Sequence, residues 1–246
     1  MDNEVTTSHS GGVSICGASH ISKGLPCQDA FVSANSGSRV ITVVSDGAGS
    51  ASHSDIGAQH FVKTIAATLL DAALQPLTDT IRQKIIEAID EVKQTLCDTY
   101  RLDPRQFAGT LLGAICNDDD CWVFHVGDGA VVVFGLNDEV YISPPENGEY
   151  ANETFFVTMP NWSQHLRVNQ VPFRPTAIFA MSDGVTPFAL KSGGVASGFL
   201  QPISKYLPTQ TLAVGQNLLQ QLLSGERATA LCDDDKTLSW ILFKHG

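Results

Sequence analysis

Basic side chains are scarce in this chain: 15 lysines and arginines stand against 26 aspartates and glutamates, a formal charge of −11 over 246 residues. That balance excludes a general nucleic-acid binder, which needs a basic surface. Long apolar runs are also missing. None approaches the roughly 20 residues that carry a helix across a bilayer, so no membrane partner is expected. The opening Met1-Asp2-Asn3-Glu4 is acidic and polar, unlike the start of a signal peptide. Cys16, Cys27, Cys97, Cys116, Cys121 and Cys232 make no paired framework and no cysteine–histidine set with zinc spacing. Reduced thiols in a cytoplasmic protein are the expectation. Repeats and low-complexity linkers are absent, so residues 1–246 are expected to form a single domain. The glycines of Gly47-Ala48-Gly49 and Gly127-Asp128-Gly129 complete neither the dinucleotide pattern nor a P-loop.

What the chain does have is a globular composition, 43% hydrophobic and 17% charged, enough for a sizeable core. It also has acidic turns at the ends of apolar runs: Val43-Val44-Ser45-Asp46-Gly47, Val126-Gly127-Asp128-Gly129, Ala180-Met181-Ser182-Asp183-Gly184 and Asp233-Asp234-Asp235-Lys236-Thr237. Carboxylates at strand ends can meet in space although far apart in sequence. A buried group of them repels itself unless cations sit among them, so the pattern points to hard divalent metals. Each aspartate taken singly reads better as a turn former; taken together, in this order, they favour metal binding. Asp128 is read as supporting its turn and stays outside the expected metal shell.

Periodicity gives the order of elements. Gly12 to Gly17 and Asp29 to Ala34 read as short strands around a polar loop, and Val40 to Val44 as a buried strand. Ser52 or Ser54 is placed to cap a helix carrying Ile56, Phe61, Ile65 and Leu69. A second helix follows Pro76, with Ile81, Ile85, Ile89 and Leu96 at helical spacing. Leu111–Cys116, Trp122–Val126, Ala130–Phe134 and Glu139–Ser143 read as a meander of antiparallel strands. Phe155–Val157, Leu166–Val168 and Ala177–Met181 add strands; Leu212–Leu223 reads as a helix and Leu238–Phe243 as the closing strand. This order predicts an α+β fold in layers, with helices outside two facing sheets.

With that order in hand, the chain resembles the metal-dependent serine/threonine protein phosphatases of type 2C from about Gly17 to Phe243. The resemblance rests on Pro26-Cys27-Gln28-Asp29-Ala30, Ser45-Asp46-Gly47-Ala48-Gly49, Phe107-Ala108-Gly109-Thr110, Val126-Gly127-Asp128-Gly129, Ser182-Asp183-Gly184-Val185 and Asp234-Asp235-Lys236-Thr237. They fall in the family's order, each beside the expected strand. The resemblance implies a four-layer α-β-β-α sandwich, two antiparallel sheets flanked by helix pairs, with two Mg²⁺ or Mn²⁺ ions at one end. It implies that Asp46 bridges both ions, that the Gly47 carbonyl adds a ligand and that Asp183 and Asp234 hold one ion. Asp29 is expected to order water there. The implied reaction is hydrolysis of phosphoserine or phosphothreonine on proteins by a water bridging the two ions. A phosphorylated protein is the implied partner, with a separately encoded kinase as its counterpart.

Departures from the family pattern mark individual positions. Gln28 stands where Glu is frequent, and Ala48 where eukaryotic members carry a histidine that donates a proton to the leaving group. His20 and His53 are the histidines available to replace it. No arginine matches the phosphate-gripping one, which leaves Lys23, with His20, as candidate substrate-binding residues. Gln106 and Pro187 occupy positions assigned to a third ion. These departures motivate an alternative: a phosphatase-fold module, weak or inactive in turnover, that binds phosphoproteins or regulates a kinase. The stretch Pro144 to Val171, with Trp162, is expected to form a flap near the site.

Overall fold

In the computed structural model, the described residues are 8–71, 80–118, 120–147 and 154–243. In chain order the strands are β1 (Ser8–Ile15), β2 (Ala30–Ser36), β3 (Arg39–Ser45), β4 (Leu111–Cys116), β5 (Cys121–Val126), β6 (Ala130–Phe134), β7 (Val140–Ser143), β8 (Arg167–Gln170), β9 (Ala177–Met181), β10 (Leu190–Lys191), β11 (Gly194–Val195) and β12 (Lys236–Phe243). The helices are α1 (Ala18–Lys23), α2 (Ser54–Leu70), α3 (Thr80–Tyr100), α4 (Trp162–His165), α5 (Thr186–Ala189), α6 (Leu200–Tyr206), α7 (Leu212–Ser224) and α8 (Glu226–Leu231). Two five-stranded sheets, ordered β1-β12-β9-β6-β7 and β2-β3-β4-β5-β8, are antiparallel throughout; β10 and β11 form a small hairpin.

The layers follow from alternation along the strands. Every residue of β3 is buried, because one face meets helices and the other meets the second sheet. Ile41 and Val43 pack with Phe61 and Ile65 of α2 and Ile85 and Ile89 of α3. Val40 and Val44 face inward, with Leu112, Ala114, Val131, Val133, Ile178 and Ile241. The outer face of the other sheet, with Phe179 and Trp240, is covered by Leu200 and Ile203 of α6 and by Leu219 and Leu223 of α7. Each fully buried side chain of this size contributes about 1.5–3 kcal/mol of transfer free energy. Polar contacts also join the two sheets: Thr42 Oγ1 donates to Ser239 Oγ at 2.5 Å and Ser33 Oγ to the Trp240 carbonyl at 3.4 Å. The α+β four-layer sandwich expected from the sequence is the fold observed.

Local expectations differ from the structure in several places. The meander is divided: β4 and β5 belong to one sheet and β6 and β7 to the other, so the link Gly127-Asp128-Gly129 crosses between sheets. Gly127 makes that crossing with φ of 114°, a conformation that disfavours side chains. Phe155 to Val157 is not a strand; Thr154 alone forms an isolated bridge, to Asn147, and Val157 is drawn into the α2–α3 core. The polar loop before Asp29 contains α1, which ends on Gly24 at φ 68°. Neither Ser52 nor Ser54 caps α2. His53 holds the cap position without a side-chain bond; Ser52 Oγ instead donates to Gln106 Oε1 at 2.8 Å and Ser54 Oγ to the Ala51 carbonyl at 3.4 Å. The second helix is described from Thr80; Pro76 lies outside the described residues.

All six cysteines are free, as expected. Among the described residues no helix is long and apolar enough to cross a membrane.

Candidate functional site

Register places the acidic turns together. Ile15 of β1 pairs with Lys236 of β12, Leu238 with Met181 of β9, and Ala30 of β2 with Ser45 of β3. The residues just beyond these pairings, Asp29, Asp46, Asp183 and the Asp233–Asp235 turn, therefore lie at one end of the sandwich. The crossover from β5 to β6 brings Asp128 to the same end.

Carboxylate oxygens of Asp46, Asp128 and Asp183 all lie within 4.8 Å of one another. Asp46 is fixed by the start of β4. Its N–H donates to Thr110 Oγ1 at 2.9 Å, its carbonyl accepts from Thr110 N–H at 2.8 Å, and Ser45 Oγ donates to the Thr110 carbonyl at 2.6 Å. Gly47 N–H donates to the Gln28 carbonyl at 3.1 Å. A Cβ on Gly47 would stand 2.6 Å from that carbonyl oxygen and 2.8 Å from Ser54 Cβ, so the Asp-Gly turn is glycine because α2 begins against it. A Cβ on Gly184 would stand 2.0 Å from the Asp235 carbonyl oxygen, so the Asp183 turn is equally tight against the acidic loop. Asp29 is buried, accepting from Ser182 Oγ at 2.7 Å.

Burial first, and crowding after it, raise the proton affinity of these groups. Burial, chiefly, with Asp235 and Asp183 nearby, pushes Asp29 up to about 7 against the opposing pull of its Ser182 and Thr237 hydrogen bonds. Burial pushes Asp183 up to about 6, helped by the charges of Asp128 and Asp234. Burial, then Asp29 and Asp183, holds Asp46 well above the usual carboxylate range. Asp29 Oδ1 and Asp183 Oδ1 are buried with no hydrogen-bond partner. Acceptor-only oxygens, crowded, desolvated and unpartnered, are the donor set that hard divalent ions satisfy. The residues present therefore fit such ions.

The predicted residues fall out unevenly. Asp29, Asp46, Gly47 and Asp183 are brought together. Asp128, left out of the metal shell by sequence reasoning, stands with Asp46 and Asp183. Asp234 groups instead with His20 and Asp235, within 4.8 Å of both, although its charge is felt at Asp183. His20 is buried, its Nδ1 3.0 Å from Asp235 Oδ2, so it faces the acidic loop. Lys23 is exposed in the last turn of α1 and, among the described residues, makes no hydrogen bond or ion pair. His53 packs against Tyr100 and Phe107 with ring centroids 5.8 Å away. Gln106 is occupied by Ser52 and His53, to which it offers Oε1 and its carbonyl. The Gln28 side chain has its Oε1 buried without a partner, while its backbone links Asp235 and Gly47.

The expected flap lies partly outside the described residues, at 148–153. Its described parts do meet the site: Thr154 Oγ1 donates to Asp128 Oδ2, Val157 N–H donates to the Gly109 carbonyl at 3.0 Å and Glu146 N–H to the Gly127 carbonyl at 2.9 Å. Arg167 Nε lies 3.1 Å from Glu146 Oε2, and Phe155 stacks on His165 at 3.6 Å. Trp162 does not face the site; it is buried in the α2–α3 core.

The family profile described as protein phosphatase 2C matches residues 16–224. The chain is 32% identical over 244 residues to serine/threonine-protein phosphatase 3 of Escherichia coli (strain K12), covering 94% of this chain and 96% of that protein. Its fold is similar to that of the serine/threonine phosphatase of S. agalactiae, with a TM-score of 0.71, 13% identity and coverage of 97% of this chain and 100% of that one. It is similar also to the catalytic domain of the serine/threonine protein phosphatase PstP, solved in complex with two manganese ions, with a TM-score of 0.68, 13% identity and coverage of 98% and 100%. With the profile spanning most of the chain and a relative matched nearly end to end, this chain belongs to the protein phosphatase 2C family.

Proposed function

We propose that this chain hydrolyses phosphoserine and phosphothreonine on proteins, using two Mg²⁺ or Mn²⁺ ions held at the acidic end of the sandwich. The single observation that carries the reading is the convergence of Asp46, Asp128 and Asp183, from three separate strand ends, with the buried Oδ1 of Asp183 left unpartnered. Asp46, with the Gly47 carbonyl, Asp183 and Asp234 are the residues that would hold the ions, and Asp128 would join them from the crossover. When bound, the ions supply a water acidic enough to attack near neutral pH and neutralise charge on the phosphoryl oxygens.

The protein's own part is positional. Thr110 locks the Asp46 backbone, and Ser182 fixes Asp29 at the floor of the site. Asp29, with its raised proton affinity, is suited to accept a proton from water in the site near neutral pH. Lys23, exposed in the last turn of α1, is the cation we assign to an incoming phosphate, whereas buried His20 is less accessible to it. None of the free thiols has a role, because attack by water needs no covalent phosphoenzyme. The substrates are phosphoproteins made by a kinase encoded separately, and the cytoplasm is the compartment this reading favours, where free thiols persist.

The test is direct. Purified protein with Mn²⁺ should release phosphate from a phosphothreonine peptide, lose activity to a chelator, and lose it on Asp46→Asn substitution with the fold intact. Full activity in that variant rejects the assignment.

A further inference from the structure

A carboxylate offers acceptor lone pairs on two oxygens and no donor; an amide of the same shape offers one acceptor oxygen and one donor nitrogen. Asp235 uses the difference. Its side chain is buried, and both oxygens face backbone N–H groups: Oδ1 accepts from Gly17 at 2.6 Å and Oδ2 from Gln28 at 2.6 Å. His20 Nδ1 adds a third, charge-type contact, 3.0 Å from Oδ2 but without hydrogen-bond geometry, with both side chains almost fully covered. Asp235 thus fastens both ends of the segment Gly17–Gln28. Ser19 N–H strengthens the same attachment by donating to the Asp233 carbonyl at 3.0 Å.

Two hydrogen-bonded routes lead from this fastening to the metal-facing residues. The N–H of Asp235 donates to Asp234 Oδ1 at 2.8 Å, which orients the Asp234 carboxylate. The Gln28 carbonyl accepts from Gly47 N–H at 3.1 Å, which ties the segment to the Asp46–Gly47 turn. Asp29 follows Gln28 directly. The acidic triplet is therefore divided in use: Asp234 stays exposed, with its charge felt at Asp183, and its neighbour turns inward as a structural acceptor.

We propose that Asp235, backed by His20, is a positioning residue for the metal centre: it holds Asp234 and the Asp46–Gly47 turn in register, so that metal affinity depends on a carboxylate that touches no ion. The inference rests on the proposed metal-dependent reading of the site. Replacing Asp235 by Asn leaves one backbone N–H facing an amide N–H₂ group, so a fastening point is lost while shape is kept. Replacing His20 by Ala removes the third contact and leaves both backbone bonds.

The measurement is Mn²⁺ affinity by isothermal titration calorimetry on the full chain, without substrate, well below the unfolding midpoint of each variant. Wild type binds; Asp235→Asn binds about 10- to 100-fold more weakly, as partners behind metal ligands typically do when changed; and His20→Ala shifts in the same direction. A variant with a comparable loss of thermal midpoint made far from the site, Ile85→Ala in α3, binds as wild type does. If folded Asp235→Asn and His20→Ala match wild-type affinity, or Ile85→Ala weakens binding equally, the positioning role is overturned and the metal reading stands. Should Asp235→Asn fail to fold, His20→Ala decides by itself. If wild type binds no Mn²⁺, the metal reading itself falls and takes the inference with it.

Discussion

Asp46 and Asp183 leave strands of opposite sheets and bring carboxylate oxygens within 4.8 Å of each other. Two carboxylates this close, partly cut off from solvent, cannot both stay charged cheaply; a proton or a cation must sit between them. The sandwich forces the approach, because each turn is bolted to its own sheet by backbone hydrogen bonds: Thr110 N–H donates to the Asp46 carbonyl, and the N–H of Ser182, next to Asp183, donates to the Thr237 carbonyl.

This gives a stability profile with a definite sign. Asp29 and Asp183 titrate at about 7 and about 6 in the folded protein, against an ordinary value of 3.8. The folded state then binds protons more tightly than the unfolded chain. The contribution is fully present below the unfolded value and is lost as pH rises through the folded values. His125, which burial and then Arg167 depress well below 6.5, works the other way, but only as pH falls below that value. From about pH 6.5 to 8 the carboxylates govern. Metal-free protein followed by thermal unfolding is expected to lose stability across that window. Mn²⁺ at 100 times its dissociation constant restores about 2.7 kcal/mol. A flat profile, with or without metal, contradicts the crowded-carboxylate account.

Asp128→Asn is expected to lower turnover of a phosphopeptide by at least about tenfold with the fold retained, a loss of about 1.4 kcal/mol in transition-state stabilisation. Asp120→Asn serves as the control. That acidic residue belongs to the turn between β4 and β5, at the opposite end of those strands, where it accepts from Gln170 at 2.6 Å. It is expected to change turnover less than about twofold. Equal rates in the two variants would remove Asp128 from the site.

How much of this was legible in the sequence depends on where each signal came from. Asp46 and Asp183 stood out because an apolar strand-like run ended in Asp-Gly, and pleat geometry puts such ends at a sheet's rim. Asp128 had the same signature but was discounted: short links between β4, β5, β6 and β7 looked like one meander, and nothing local reports that β5 and β6 lie in opposite sheets. Helix α1 was invisible for a different reason. It is short, has no capping side chain and carries no acidic residue in its first turn, so tertiary contact, through Ser19 to the Asp233 carbonyl, does the work that propensity does elsewhere. Phe155–Val157 had strand composition, yet its Val157 fills the α2–α3 core and its Phe155 stacks on His165. Strand preference of this kind reports fit to a half-buried surface more than backbone conformation.

Gly47→Ala is expected to cost about 1–3 kcal/mol or more of stability, because the new methyl meets backbone and a helix start that cannot yield. Gly198→Ala, whose added Cβ meets nothing within 4 Å, is expected to stay within about 0.5 kcal/mol of wild type. Urea unfolding of both variants checks the difference. Equal stability would mean that the approach of α2 to the Asp46 turn is looser than described.

The most direct measurement is anomalous diffraction at the manganese edge from crystals soaked in Mn²⁺. The account predicts two peaks about 3.5–4 Å apart, both touching Asp46, one reached by the Gly47 carbonyl and one by Asp183 and Asp234. Manganese found away from Asp46 and Asp183, or no bound manganese in active protein, would contradict it.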